Sequence, residues 1–549
     1  MNHLPVQRPQ VSPFLRAFLI PLLTVVIVLC LLPGCAGGGK ASGVTSDDPL
    51  ADLRNRECTP QERIAAADRA WAQALSGELD QKAVREQFKT QLFLISTTDD
   101  VRLHIVKILL SDTSNEGIAD TRSVLKLRLP RENAWPIIGL ICDESVKRNW
   151  TDMTPALVRS FARKVRDPVD AARPERAALL ALNPGKPIEQ IVYDVFVIQS
   201  LKPGASNESR MLEERARTDA WELLGRLDSD GSKRAALLAS DTRIDGQPSG
   251  AGGGGLSSDS MLLDLRAAAK DLRAVPITGA ELQWVRSLRS PGNTLNENWW
   301  KDAGRAIAPL SAENALGLEV RHAEAVRWSA QHRPHWLTMS RGQLLQELSQ
   351  RLRPRDHHMR SSEEGDFGTA TPETLEHWDA QIVWGDLLTM LVIDEALQDP
   401  IVVASLLKQA ADDRENTKTE LGGAIEAITM IPGGPDLSAG ASAGNVGSAG
   451  SFEARAYPPQ VSVRSSDTRY VASERMIAST PRSLAHYHFH VQKEKNNAYA
   501  GPSNADLEYA ATNARNCLVL TSVGQGRLAV DYYQRNKVRI DLGAIGRGK

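Results

Sequence analysis

Apolar residues recur at helical spacing through most of the chain and change to an alternating, strand-like pattern only near its end. In 57–243, Thr59-Pro60-Gln61-Glu62 has the form of a capping box with Pro at the first helical position. It opens a segment whose Ile64, Ala67, Trp71 and Leu75 fall on one helical face. Val101, Ile105, Ile108 and Leu109 form a second face, and Thr154-Pro155 is expected to cap a helix carrying Leu157, Val158, Phe161 and Val165. Further helices are predicted over 187–199 and 208–228. Short amphipathic helices in series predict a solenoid-like or irregular helical bundle, with no fixed repeat period. Residues 244–260 are a Gly/Ser-rich linker. Residues 261–382 return to a helical pattern containing Trp284, Trp299, Trp300, Trp328, Trp336 and Trp378.

From 383 the pattern becomes mixed. Asp399-Pro400 introduces a helix, followed by β-type runs at 421–430, 451–457, 484–491, 517–523, 527–533 and 537–542. A helix from Ser503 to about Asn513 interrupts them, and the Gly/Ala/Ser tract 433–450 reads as a long loop. The expected fold class is therefore multidomain, an α-helical N-terminal region followed by an α+β domain over 383–546.

The first residues alter this picture. Arg8 and Arg16 precede the apolar stretch Phe18–Leu32, which is shorter than the ~20 residues of a spanning helix and fits a signal-peptide core. Leu32-Pro33-Gly34-Cys35 follows and resembles the lipobox of bacterial lipoproteins, although Pro33 is unusual there. The resemblance implies removal of 1–34, lipid on Cys35, a tether over 35–56 and attachment to a membrane of the cell envelope. An uncleaved anchor helix is the alternative. Ala36, not Asp, follows the Cys, which favours the outer membrane. Cys58, Cys142 and Cys517 remain, either with a Cys58–Cys142 disulfide or as buried thiols. A net charge of −2, with no basic stripe, gives nucleic-acid binding no support.

Chemistry concentrates in the last part. His486-Tyr487-His488-Phe489-His490 places three imidazoles on one face of a strand, neighbours standing about 7 Å apart along it. Ser503-Asn504-Ala505-Asp506 then opens a helix. Preceded by Glu420-Leu421-Gly422-Gly423-Ala424-Ile425, this order resembles the JAMM/MPN (JAB) metalloprotease family over about 383–546. That family has a Glu beside a Gly-rich strand, then His-x-His, then Ser-x-x-Asp.

The resemblance implies Zn²⁺ held by His488, His490 and Asp506 with a water in the fourth position. It makes Glu420 the general acid–base and Ser503 a donor to the developing oxyanion. The substrate class would be a protein or peptide with a peptide, isopeptide or other amide bond. Two features depart from the family pattern: Val491 replaces a Pro, and the loop from His490 to Ser503 is longer. His486/His488 is the alternative pair; His488/His490 is preferred because Leu484 to Tyr487 fits the apolar strand before the motif. Each piece also has an ordinary reading, since Ser-x-x-Asp is a capping box and alternating His a polar strand face. The competing function is a non-catalytic envelope scaffold whose helical region binds a protein partner. His357-His358 beside Asp356 lies between strongly polar flanks and is expected to be a solvated loop.

Overall fold

The computed structural model describes residues 46–165, 167–197, 206–228, 230–240, 260–363, 365–428, 452–463, 470–478 and 482–546. The expected signal segment, Cys35, the tether before 46, residues 244–259 of the linker and the tract 433–450 lie outside them. The described residues form a predominantly helical chain that ends in one six-stranded sheet. None of their helices is long and apolar enough to cross a membrane.

Residues 46–91 form one compact unit. Thr59 and Glu62 make the expected reciprocal cap on the Pro60–Ser76 helix. The buried face of that helix is rotated from the expected one. It consists of Arg63, Ala66, Ala67, Ala70, Trp71 and Ala74, whereas Leu75 is 67% exposed. Arg63 tolerates burial because Nε donates to the Leu53 carbonyl at 2.9 Å and Nη2 to Gln91 at 2.8 Å.

The second unit, from Leu92, begins with the predicted helices, including Asp99–Ser111, Thr154–Ala162, Ile188–Val197 and Asn207–Leu227. Thr154 is the first residue of its helix rather than a side-chain cap, and Val165 lies beyond the helix end, 37% exposed. Cys58, Cys142 and Cys517 are buried free thiols, which selects the second alternative for them.

The sheet consists of β1 (Gly422–Ala427), β2 (Phe452–Tyr457), β3 (Ser483–His490), β4 (Cys517–Gly524), β5 (Arg527–Tyr533) and β6 (Arg539–Gly546). Their order is β2-β1-β3-β4-β5-β6, with only β3 and β4 parallel. Buried on both faces, β4 and β5 read as near-continuous apolar runs. The Trp384–Gln398 helix is buried almost throughout, and Tyr487 and Phe489 of β3 share its core. One core draws residues from Ala268 to Ile545, so helices on both sides of residue 382 cover one face of the sheet. A buried charge network ties them together. Arg321 pairs with Glu319 at 2.7 Å and Asp386 at 2.6 Å, and donates to Asn516 at 2.5 Å and Tyr532 at 3.0 Å. The opposite face carries the histidines of β3 and the Asn504–Asn513 helix.

Candidate metal centre

Strand register brings the distant sequence elements together. β1 runs antiparallel to β3 with Gly422 opposite His488, and Glu420, two residues before β1, lies beside the His488 ring. Gly422 is needed for close approach: a Cβ there would stand 2.5 Å from the Tyr487 carbonyl and 2.6 Å from the ring of Tyr470. Tyr470 instead lies parallel to the His488 imidazole, with 6.1 Å between ring centroids.

Ligand-type atoms of Glu420, His488 and His490 all lie within 4.8 Å of one another. Asp506 lies outside that mutually close group but against its two histidines, with Oδ1 3.2 Å from His488 Nε2 and Oδ2 3.7 Å from His490 Nε2. Atoms bound to one zinc ion stand roughly 3–4 Å apart, so these separations match a common ligand sphere. Glu420 Oε1 lies 4.0 Å from His488 Nε2, at the outer edge of that range. His486 belongs to another environment. Its Nδ1 is 2.9 Å from the Tyr509 hydroxyl, and burial with nearby Arg515 holds its pKa well below the ordinary histidine value.

Second contacts orient the ligands. His490 Nδ1 lies 3.3 Å from the carbonyl of Tyr499. A carbonyl only accepts, so Nδ1 carries the hydrogen and Nε2 keeps the lone pair that faces the cluster. His488 Nδ1 is 3.5 Å from the Tyr533 hydroxyl. The long 491–502 loop thus has a function in the geometry, because it supplies Tyr499. Asp413 and Arg414, at the end of the Pro400–Glu415 helix, hold both walls of the site. Asp413 accepts the Leu421 amide beside Glu420, and Arg414 Nε donates to the Val491 carbonyl beside His490 at 3.1 Å.

Ser503 is the cap of the Asn504–Asn513 helix. Its Oγ donates to Asp506 Oδ2 at 2.9 Å and accepts the Asp506 amide at 3.2 Å, while its own amide donates to the same oxygen at 2.8 Å. A serine has one hydroxyl hydrogen, and here it goes to Asp506 rather than into the site. Ser503 therefore positions Asp506 and leaves Oδ1 turned towards His488, with Oδ2 the oxygen nearest His490.

Electrostatics fit a cation. Burial draws the His488 pKa down, but Asp506, Glu420 and Asp413 outweigh it and lift the imidazole to about 9. Burial and the charge on His488 push His490 down to about 4. Burial opposes ionisation of Asp506, yet the two histidines hold it well below the carboxylate range. The buried His488 Nε2 makes an ion pair with Asp506 but no aligned hydrogen bond. A buried nitrogen aimed into a cluster of carboxylate and imidazole groups suits a divalent cation, which would satisfy it directly.

His357 and His358 take no part. Their segment is the exposed loop expected, and it is also tied to β6: His357 Nδ1 lies 3.0 Å from Asp541, and the His358 amide donates to the same carboxylate at 3.1 Å. The roles of Tyr499, Tyr470, Tyr533, Asp413 and Arg414 carry no local sequence signal, since each depends on a tertiary contact. Compared with known proteins, the chain matches no family model, no curated protein and no solved structure.

Proposed function

We propose that this is a lipid-anchored envelope protein whose C-terminal α+β domain is a JAMM-type zinc hydrolase of peptide, isopeptide or other amide bonds. The supporting observation is the convergence of Glu420, His488, His490 and Asp506 from three separate places in the chain. His488 and His490 would hold the ion through Nε2 and Asp506 through Oδ1. A zinc ion held there would supply Lewis acidity, lowering the pKa of water and polarising a carbonyl oxygen. Glu420 would accept a proton from the attacking water on its carboxylate and return it to the leaving nitrogen. Ser503 keeps Asp506 in place. Burial of Glu420 (2% exposed) and His488 (4% exposed) excludes bulk water and strengthens the field among these groups.

The same low exposure favours a second reading, in which the domain is a closed, metal-stabilised interaction module. Glu420→Gln separates the two. It keeps size and shape but loses the base. The hydrolase reading expects near-wild-type zinc content with turnover of fluorogenic peptide and isopeptide substrates reduced on the order of 10²-fold or more. Undiminished turnover in Glu420→Gln contradicts the role of that residue, and a zinc-loaded wild type inert on the whole panel favours the interaction module.

A further inference from the structure

The irregular segment that begins at Asp356 contacts successive parts of the site. Arg360 Nη1 donates to the Pro502 carbonyl at 3.2 Å. The amides of Ser361 and Ser362 donate to the Ala498 carbonyl at 3.3 and 2.9 Å. Asp366 then caps the helix that carries Asp506, and it does so twice. Its main-chain oxygen accepts the Asn504 amide at 2.9 Å, and its Oδ2 accepts the Ala505 amide at 2.7 Å. With Ser503 accepting the Asp506 amide and giving its own amide to Asp506, all four orphan amides of the helix start are satisfied, two of them by a residue far away in sequence. Next along the chain, Phe367 packs edge-on against His490 with ring centroids 5.6 Å apart. It also contacts Tyr499, whose carbonyl sets the His490 tautomer, at 5.4 Å. The guanidinium of Arg360 lies 5.3 Å from the Phe367 ring centroid, completing the stack.

We propose that this segment is a strap supplied by the helical region to complete the metal centre, with Asp366 and Phe367 as positioning residues for Asp506 and His490. The inference rests on the metal-site reading above and extends it. The α+β domain does not assemble its ligand set alone, because the helix bearing one ligand takes its cap from the strap, and the ring of another ligand is backed by it. Groups that orient ligands from outside typically govern metal affinity by 10–100-fold. A strap resting on two of the three ligands is placed to slow the escape of the ion.

The test uses the full protein loaded with zinc, and separately with Co²⁺ as a spectroscopic probe. Asp366→Ala should speed zinc transfer to a chelator roughly tenfold or more and alter the Co²⁺ absorption bands. Asp366→Asn, whose side-chain oxygen still caps, should restore both. Phe367→Ala should also speed release, and Phe367→Leu should recover most of the loss. The Asn and Leu variants keep the test valid if an Ala variant folds poorly. Unchanged release and unchanged bands in Asp366→Ala overturn the strap proposal while leaving the metal reading intact. Equal losses in Asp366→Ala and Asp366→Asn also overturn it. A wild type that takes up neither metal overturns the underlying reading, and the strap proposal with it.

Discussion

Ser503 and Asp506 form a closed reciprocal pair: the serine hydroxyl donates to Asp506 Oδ2 at 2.9 Å and receives the Asp506 amide at 3.2 Å. The ring fixes the carboxylate that faces both histidines, so the same bonds that start a helix also aim the proposed ligand.

Ser503→Ala should therefore have two effects. Loss of an N-cap costs about 1 kcal/mol of stability, and Asp506, no longer held, should bind zinc more weakly. Ser503→Thr should restore both. Competition with a chelator provides the measurement. Zinc affinity equal to wild type in Ser503→Ala, with turnover alone reduced, would instead return Ser503 to the role of oxyanion donor.

Stability should also fall with pH through a carboxyl pair beneath the site. Asp531 Oδ2 accepts the Gly501 amide at 3.0 Å, and Glu373 packs so closely on Gly501 that a Cβ there would stand 2.5 Å from Oε1. Burial raises Glu373 from 4.5 to about 7, against the pull of Arg539 and Arg360 and with help from Asp541. Burial together with Glu373 and Asp541 lifts Asp531 well above the carboxylate range. Both groups hold protons more tightly in the folded state. The native protein thus binds more protons than the unfolded chain between pH about 4.5 and 7, and stability drops as pH rises across that window. Glu373→Gln removes much of this dependence. The melting temperature of wild type should fall by roughly 2–4 °C more than that of Glu373→Gln between pH 5 and 8. Parallel curves would contradict the assignment.

How far the sequence could be read depended on the range of the interaction involved. Alternation in Leu484–Val491 located β3, and Thr59-Pro60-Gln61-Glu62 marked its helix start, because both signals are local. The order Glu420, His488-Phe489-His490, Ser503 and Asp506 pointed to residues that strand register then brings together. Periodicity misplaced the buried face at Leu75, because a row of alanines and Trp71 took the inner side and left the larger Leu outside. Asp366 and Phe367 were invisible, since the strap sits in a polar stretch whose meaning lies in contacts over a hundred positions away. The tautomer-setting Tyr499 was hidden for a similar reason, inside a loop that read only as extra length.

Membrane attachment through Cys35 is tested independently of the metal. Wild-type protein should fractionate with membranes and incorporate labelled fatty acid, and Cys35→Ser should do neither. Equal labelling of the two forms would remove the lipoprotein reading, and an unlabelled membrane-bound wild type would favour an uncleaved anchor over 18–32.

The most direct test of the central claim is the metal content of purified protein, measured by elemental analysis alongside His490→Ala. The convergence of His488, His490 and Asp506 predicts about one zinc per chain in wild type and little in the variant, since two remaining ligands hold the ion poorly. Wild type that stays metal-free after incubation with zinc, or a His490→Ala variant that retains a full equivalent, would contradict it.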